Sequence, residues 1–562
     1  MTFERFEVLE SLDLRDLSQS VVVLNADEPI ADLTADVVVL VGSPSVESVA
    51  SIKSSHPNTK FGLIVKLKSV ISGQSRAVSS GEFSTKAKEL LGSRKDIEFL
   101  GSELHLAAAF ATVESALCAT QTALAGEAFS LGMKTGVEPH LLYKALAGGA
   151  GASWSFRELV PQLLEGALQC SASQQSLAEA KLALSRALSL ALSESFYAPL
   201  TAMAAQVYAA LPSDSRTDLS SIVVGEKFSS PSINTGSLSQ TQSTEPVAPA
   251  KVGFVGLGAM GSRMSKVLHR GGLSVAGFDV WRPALERFAS EGGLAAANLL
   301  DCATESEVLL LMVINASQVE EILFDLGKLP RHSVVLIMST ISPSQAQTIG
   351  ERAAKIRPDV SLVDCPVSGG TPRAASGDLM ILAGGLDQAG PGSGKAYHVL
   401  KLLSGSAGNN ENLLIVPGGI GKGSAVKLVN QHLAGCHISS VMEALAFSSK
   451  LGLPGRKSHA LLMRGPAWSW MLGHRGGNML DGLIQPPTST VNIFVKDMGI
   501  VVAEAAALGV SVPLAGHVQQ QFILGRSYGW GMDDDSSLIR IWRAAGIDAT
   551  CGGDEVPDGE DS

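Results

Sequence analysis

The chain has 562 residues, 43 of them basic and 54 acidic, for a formal charge of −11; 45% are hydrophobic and 17% charged. An acidic chain repels a phosphate backbone, which argues against general nucleic-acid binding, and this supply of core formers excludes disorder of the whole chain. At roughly 150 residues per domain, the length suits about three to four domains. The six cysteines, Cys118, Cys170, Cys302, Cys365, Cys436 and Cys551, are scattered and form no Cys-x-x-Cys pair. That pattern fits neither a disulfide framework nor a structural zinc site, and it suits a reducing compartment.

The opening stretch MTFERFEVLESLDLRD is acidic and holds no apolar run. It reads as neither a signal nor a transit peptide, so a cytoplasmic protein is expected. Residues Ser195 to Ser213 carry no charge, but Pro199, Gln206 and two tyrosines interrupt them; a buried helix is expected there, not a bilayer span. Ser, Thr, Gln and Pro dominate 213–249. Such a segment cannot bury enough apolar surface to offset its ordering entropy, and it reads as a disordered linker.

After the linker, the apolar run Val252–Val255 leads into Gly-x-Gly-x-x-Gly at Gly256, Gly258 and Gly261, and a helical pattern follows with Met260, Met264, Val267 and Leu268 on one side. A second run, Ser274–Phe278, ends at Asp279; further strands are expected at Val308–Ile314, Ser333–Thr340, Ser361–Val367 and Leu379–Gly385. This is the βαβ rhythm of an α/β Rossmann domain, a doubly wound parallel sheet. From Gly421 the rhythm becomes helical, with no charged residue between Lys427 and Glu443. A helix that is apolar or small all round must be buried on all sides. The last stretch, 546–562, is acidic with Gly and Pro, and a disordered tail is expected.

The first 212 residues read as a degenerate copy of the same two-domain unit. Glu127 in EAFSLGMKTGV and Glu443 in EALAFSSKLGL stand 316 residues apart, as do Trp154 and Trp470. DVVVLVGSPSVESV resembles EVLLLMVINASQVEEI, and FYAPL, ending at Leu200, resembles VSVPL, ending at Leu514. The expected organisation is therefore a degenerate Rossmann-like half over 1–100 and an all-α domain over 101–212. The linker comes next, followed by an NAD-binding domain over 250–420, an all-α domain over 421–545 and the tail. The first copy has no Gly-x-Gly-x-x-Gly. At the offset of 316 it places Ala111 for Lys427, Glu114 for Asn430 and Ser115 for Gln431, which suggests retention for packing rather than chemistry.

A lone Gly-x-Gly-x-x-Gly is a weak signal, since a tight strand–helix turn without a ligand also satisfies it. Here a strand precedes it, a helix follows, and an acidic residue ends the next strand. In that context the turn Gly256, Leu257, Gly258, Ala259, Met260 and Gly261 is expected to approach a pyrophosphate, with Asp279 on the ribose hydroxyls. Asp279 favours NAD because a 2′-phosphate would meet its charge, while Arg282 leaves NADP open. From Ser424 onward Lys427 is the one charged group before Glu443, so desolvation should pull its pKa down from a reference near ~10.4. It is then suited to take the proton of a secondary alcohol as hydride leaves carbon. A lysine snorkelling from a helix end is the plainer alternative. His432 and His437 lie five apart, which is not metal spacing, and read as core or interface residues; no metal is expected. Trp468 and Trp470 read as packing residues more readily than as pocket lining, and Asp533–Asp535 as a solvated loop.

The motifs VGFVGLGAMGSRMS, MSTISP, DCPVSGGTPRAASGDLMILAGG, GKGSAVKLVNQ and FVKDMGI occur in this order over about 251–530. Together they resemble the 3-hydroxyisobutyrate dehydrogenase family of β-hydroxyacid dehydrogenases, relatives of 6-phosphogluconate dehydrogenase. KLVNQHLAGCHI is most similar to the L-threonate dehydrogenases among them. The whole chain resembles the front part of large plant fusion proteins in which kinase-like and class II aldolase-like modules follow. The resemblance implies Lys427 as catalytic lysine and Asn430 beside it. It also implies Ser368, Gly369 and Gly370 on the substrate carboxylate, and Thr340, Val313 and Ile314 on the cofactor. Lys496 falls near both cofactor and substrate. Gln431 replaces the family's second Asn, which turns the expectation away from 3-hydroxyisobutyrate and towards a four-carbon sugar acid such as threonate or erythronate, with Gln431 meeting a substrate hydroxyl. In this family the all-α domains often pair, so a homodimer or an intrachain pseudo-dimer is expected. The alternatives that stay open are a non-catalytic dinucleotide-binding scaffold, and an NADPH-dependent semialdehyde reductase or a 3-hydroxyisobutyrate dehydrogenase.

Overall fold

In the computed structural model, the described residues are 21–25, 37–41, 46–55, 60–66, 77–81, 97–165, 171–211, 245–325, 333–405, 412–482 and 485–550. Most of the expected linker and the end of the expected tail lie outside them. The residues next to those segments are built into the protein. Val247 N–H donates to Gly394 O at 3.0 Å. Ile547 and Ala549 are each 6% exposed, so the tail begins later than its composition suggests, because these two apolar side chains find a core to enter.

Apolar β-branched runs build two sheets. The first consists of β1 (Val21–Asn25), β2 (Val37–Val41), β3 (Lys60–Lys66), β4 (Ala77–Gly81) and β5 (Ile97–Gly101), in that spatial order. Its β3–β4 pair is antiparallel and the others are parallel. The second consists of β6 (Val252–Val255), β7 (Val275–Phe278), β8 (Leu294–Ala295), β9 (Val308–Leu311), β10 (Val334–Ile337), β11 (Ser361–Asp364), β12 (Val367–Ser368), β13 (Met380–Gly384) and β14 (Leu413–Val416). Its order is β12-β13-β11-β10-β9-β6-β7-β8, with β14 on β13.

From β6 the chain winds outward through β7 to β8, then returns to β9 on the other flank of β6 and winds through β10 to β11. The crevice between β6 and β9 is therefore the topological switch point, where open α/β sheets bind ligands. The sheet is not wholly parallel, contrary to the doubly wound parallel expectation: β13 runs antiparallel to both β11 and β12. The chain reaches β13 from β12 through the small helix Gly370–Ser376.

Two helices of 29 residues, Leu106–Lys134 and Lys422–Lys450, lie against each other. The second is buried continuously from Gly423 to Ser448, as its lack of charge requires. Shorter helices surround the pair, and several contacts repeat in mirrored form. Glu443 accepts from the N–H groups of Leu200 and Thr201, both at 2.8 Å. Glu127 accepts from those of Leu514 and Ala515, at 3.0 and 2.9 Å. Each carboxylate thus caps a proline-initiated helix of the other half, satisfying N–H groups that have no intrahelical partner. Trp154 N–H donates to Trp468 O at 2.9 Å and Trp470 N–H to Ala152 O at 2.8 Å, around the antiparallel bridge Ser153–Ser469. Residue i touching j while j's counterpart touches i's is the pattern of an isologous two-fold interface.

Candidate active site

The glycine turn sits at the switch point. Gly256 has φ +94°, and a Cβ on it would stand 2.3 Å from Met312 O; one on Gly261 would stand 1.8 Å from Gly256 O. Both glycines are therefore required by the fold itself. Gly258 is different: it is exposed, its φ lies outside the left-handed region, and nothing lies within 4 Å of an added Cβ. No internal contact demands glycine there, whereas a pyrophosphate lying against the backbone would. Met260, before the helix Gly261–Arg270, supplies no side-chain cap; Ser262 N–H donates to Gly258 O at 3.1 Å and Arg263 N–H to Met260 O at 3.0 Å, which closes the first turn of the helix over the glycines. The turn thus fits a dinucleotide. Asp279 takes Leu257 N–H at 2.6 Å on one carboxylate oxygen and Trp281 N–H at 2.7 Å on the other, bracing the turn from the next strand. Val313 N–H donates to Ser339 Oγ at 2.9 Å and Ile314 N–H to Gln318 Oε1 at 2.8 Å, which orders the loop after β9 opposite the turn.

The Lys427 helix is pinned to the sheet by Asp364 at the end of β11. This fully buried carboxylate accepts from Gly421 N–H at 3.1 Å, Ser424 N–H at 2.7 Å and Ser424 Oγ–H at 2.7 Å. Burial pushes its pKa up to about 6 against these donors. Asp364 is a site-building residue that the motif reading passed over, although it stands within the quoted DCPVSGG. The turn after β12 carries Ser368, 6% exposed, then Gly369 at φ +128°, where a Cβ would press on the Arg373 side chain at 2.7 Å.

Lys427 is 6% exposed, which removes the snorkelling alternative. Burial lowers its pKa to about 8; Asp497 opposes that shift and Lys496 adds to it. Lys496 Nζ pairs with Asp497 at 2.9 Å and donates to Thr340 O at 3.0 Å, so the lysine and the threonine predicted beside the cofactor do meet. Asn430 Nδ2 donates to Gln431 Oε1 at 2.9 Å, and Gln431 Nε2 to Asp497 Oδ2 at 2.5 Å. Gln431 was expected to be an amide awaiting a substrate hydroxyl; instead both its oxygen and its nitrogen have protein partners. Asp497, the partner that sequence reasoning missed, lies 66 residues away along the chain.

Other expectations resolve as packing. His432 and His437 are fully buried; His432 Nε2 lies 2.8 Å from Glu127 Oε1, and burial lowers the His437 pKa to about 3. Trp468 lies under the Arg157 guanidinium at 4.6 Å, and Trp470 stacks on His474 at 4.3 Å. Asp533–Asp535 is not a solvated loop: Asp534 and Asp535 are fully buried. Asp535 pairs with Arg475 at 2.6 Å, and Asp534 accepts Thr488 N–H at 2.7 Å. Adjacent acids read as solvated because their partners are distant in sequence. Among the described residues, no helix is long and apolar enough to cross a membrane.

Residues 251–402 match the family model of the NAD-binding domain of 6-phosphogluconate dehydrogenase. The model described as NAD-binding of NADP-dependent 3-hydroxyisobutyrate dehydrogenase matches twice, at 107–224 and at 421–542. The L-threonate dehydrogenase of Cupriavidus necator is 33% identical over 296 residues, covering 52% of this chain and 95% of that protein. The chain belongs to the 3-hydroxyisobutyrate dehydrogenase-like family. It is therefore an NAD(P)-binding oxidoreductase of that family. The 2-hydroxy-3-oxopropionate reductase of Escherichia coli K12 is 30% identical, covering 52% of this chain and 96% of its own. A solved 3-hydroxyisobutyrate dehydrogenase from Salmonella typhimurium is 34% identical over 52% of this chain and 99% of that one, with a TM-score of 0.47.

Proposed function

We propose that the protein oxidises a four-carbon sugar acid such as L-threonate or erythronate, with Lys427 as general base. The observation that carries this reading is a lysine, buried to 6% exposure and shifted to a pKa of about 8, on the helix that Asp364 pins to the end of β11. Near neutral pH such an amine is deprotonated often enough to accept the hydroxyl proton. Ser368, Gly369 and Gly370 hold the substrate carboxylate, Asn430 orients the hydroxyl, and Lys496 bridges Thr340 and Asp497. NAD(P)+ bound at the Gly256–Gly261 turn supplies the hydride acceptor. Asp279 makes NAD the preferred form. The choice of a four-carbon acid rests on the L-threonate dehydrogenase relatives, since the unpaired-amide argument for Gln431 no longer stands. NADH formation by the full chain across a panel of C3 to C5 hydroxyacids tests it: threonate or erythronate should give the highest kcat/KM, and faster oxidation of 3-hydroxyisobutyrate than of every polyhydroxy acid would refute it.

The domain organisation is part of the same proposal. Residues 1–212 form a degenerate copy of the unit at 250–545, and the two all-α domains pair within one chain as a pseudo-dimer. The mirrored caps of Glu127 and Glu443, the Ser153–Ser469 bridge and the two matches of one family model support it. The first sheet pairs parallel, parallel, antiparallel, parallel, the same run as β9-β10-β11-β13-β14 of the second.

A further inference from the structure

The turn after the helix Pro139–Ala147 belongs to the first half, yet it lies on the Lys427 helix. Gly151 N–H donates to Asn430 Oδ1 at 3.3 Å. A Cβ on Gly149 would stand 3.3 Å from the same oxygen, and one on Gly151 would stand 3.1 Å from Leu433 Cβ. Neither glycine has a left-handed φ, so backbone conformation does not require glycine at either position. Close approach to the helix does.

The hydrogen bond also has a direction. A side-chain amide can face either way, and its neighbours decide which. With Gly151 N–H as donor, the Asn430 oxygen faces the first half and its nitrogen faces Gln431 Oε1. The Gln431 nitrogen is then left facing Asp497, which pairs with Lys496, which reaches Thr340 O. One polar chain thus runs from the first half, past Lys427, to the residue predicted beside the cofactor. Reversing Asn430 would set two donors against each other at Gly151. The corresponding turn of the second half, 316 residues on, reads Arg464, Gly465, Pro466 and Ala467. There Arg464 is turned to Glu98 at 3.2 Å. The glycine-rich version is found only where the turn lies against Lys427's helix.

We infer that the Gly148–Gly151 turn of the first half is a wall of the reaction site in the second, and that Gly151 N–H is a positioning group that orients Asn430 and, through it, Gln431 and Asp497 beside Lys427. The inference rests on the reading of Lys427 as the base. The half that lacks a dinucleotide turn then serves the chemistry of the other by position.

Three variants of the full chain test this. Gly149→Ala presses on Asn430. Gly148→Val adds bulk at an exposed position where nothing lies within 4 Å. Gly465→Ala is the mirrored control. For Gly149→Ala, kcat should fall about 10- to 100-fold, as expected when a reacting group is displaced by a fraction of an ångström to an ångström. The apparent pKa in kcat/KM should also shift, because Asp497 moves relative to Lys427, while NADH binding is unchanged. Gly148→Val should raise the substrate KM without altering thermal unfolding, which keeps the test open if Gly149→Ala folds poorly. Gly465→Ala should match wild type. Wild-type kinetics and pH profile in both first-half variants, or equal losses in Gly149→Ala and Gly465→Ala, would overturn the inference. If wild type oxidises none of the acids, the reading of Lys427 fails by itself. Competitive labelling of Lys427 with acetic anhydride then reports on the wall: Gly148→Val should slow labelling and Gly465→Ala should not, and equal rates in all three proteins would overturn it.

Discussion

The two 29-residue helices, Leu106–Lys134 and Lys422–Lys450, have matching ends 316 residues apart and opposite chemical content. Both are buried along most of their length and both carry a glutamate that caps a helix of the other half. Only the second carries the lysine, the amide pair and a sheet end pinned through Asp364; the first has Ala111, Glu114 and Ser115 in those places. Packing across a two-fold interface constrains both partners alike, because a void or a lost cap on either side costs both halves. Chemistry constrains only the half that performs it. The comparison teaches that packing shared across the pair can keep two helices alike in length and burial while the polar residues they carry differ.

The largest expected break in this comparison is Lys427→Ala. Initial rates should fall by a factor of about 10²–10⁴, the usual worth of a general base, while NADH still binds. Ala111→Lys in the first half should add no activity, since that half has no Gly-x-Gly-x-x-Gly dinucleotide turn. Next come the caps. Glu127→Ala and Glu443→Ala each strand two helix N–H groups, at about 1–3 kcal/mol per buried unsatisfied group, so urea unfolding midpoints should fall in both. A loss in only one would break the mirrored account. Asp364→Asn should lower kcat through loss of an anchor on the Lys427 helix, with an accompanying drop in the midpoint of about the same order. The smallest effect is on cofactor choice. Asp279→Ser should narrow the preference for NAD over NADP, as read from the ratio of kcat/KM values for the two.

Much of this was legible in the sequence where the signal is local. The strand before Gly256, the helix after Gly261 and the acid at Asp279 lie within 30 residues of one another, and the uncharged run after Lys427 announces its own burial. What could not be read depends on distant partners. Gln431 looked like a free amide because Asp497 is on another helix, and Asp533–Asp535 looked solvated because Arg475 and Thr488 come from elsewhere. The antiparallel β13 is an apolar run like its parallel neighbours, so residue type did not tell its direction. The role of Gly151 was hidden for the same reason: its acceptor, Asn430, lies 279 residues further along the chain.

The central claim is that one buried lysine in the second half does the proton transfer, and the pH dependence of kcat/KM for the full chain tests it most directly. Burial lowers the pKa of Lys427 to about 8, and the free amine is the active form. The profile should rise about tenfold per pH unit below that value, level off above it, and lose this ionisation in Lys427→Ala. A profile that is flat across that range, or one that keeps the same ionisation in Lys427→Ala, would contradict the account.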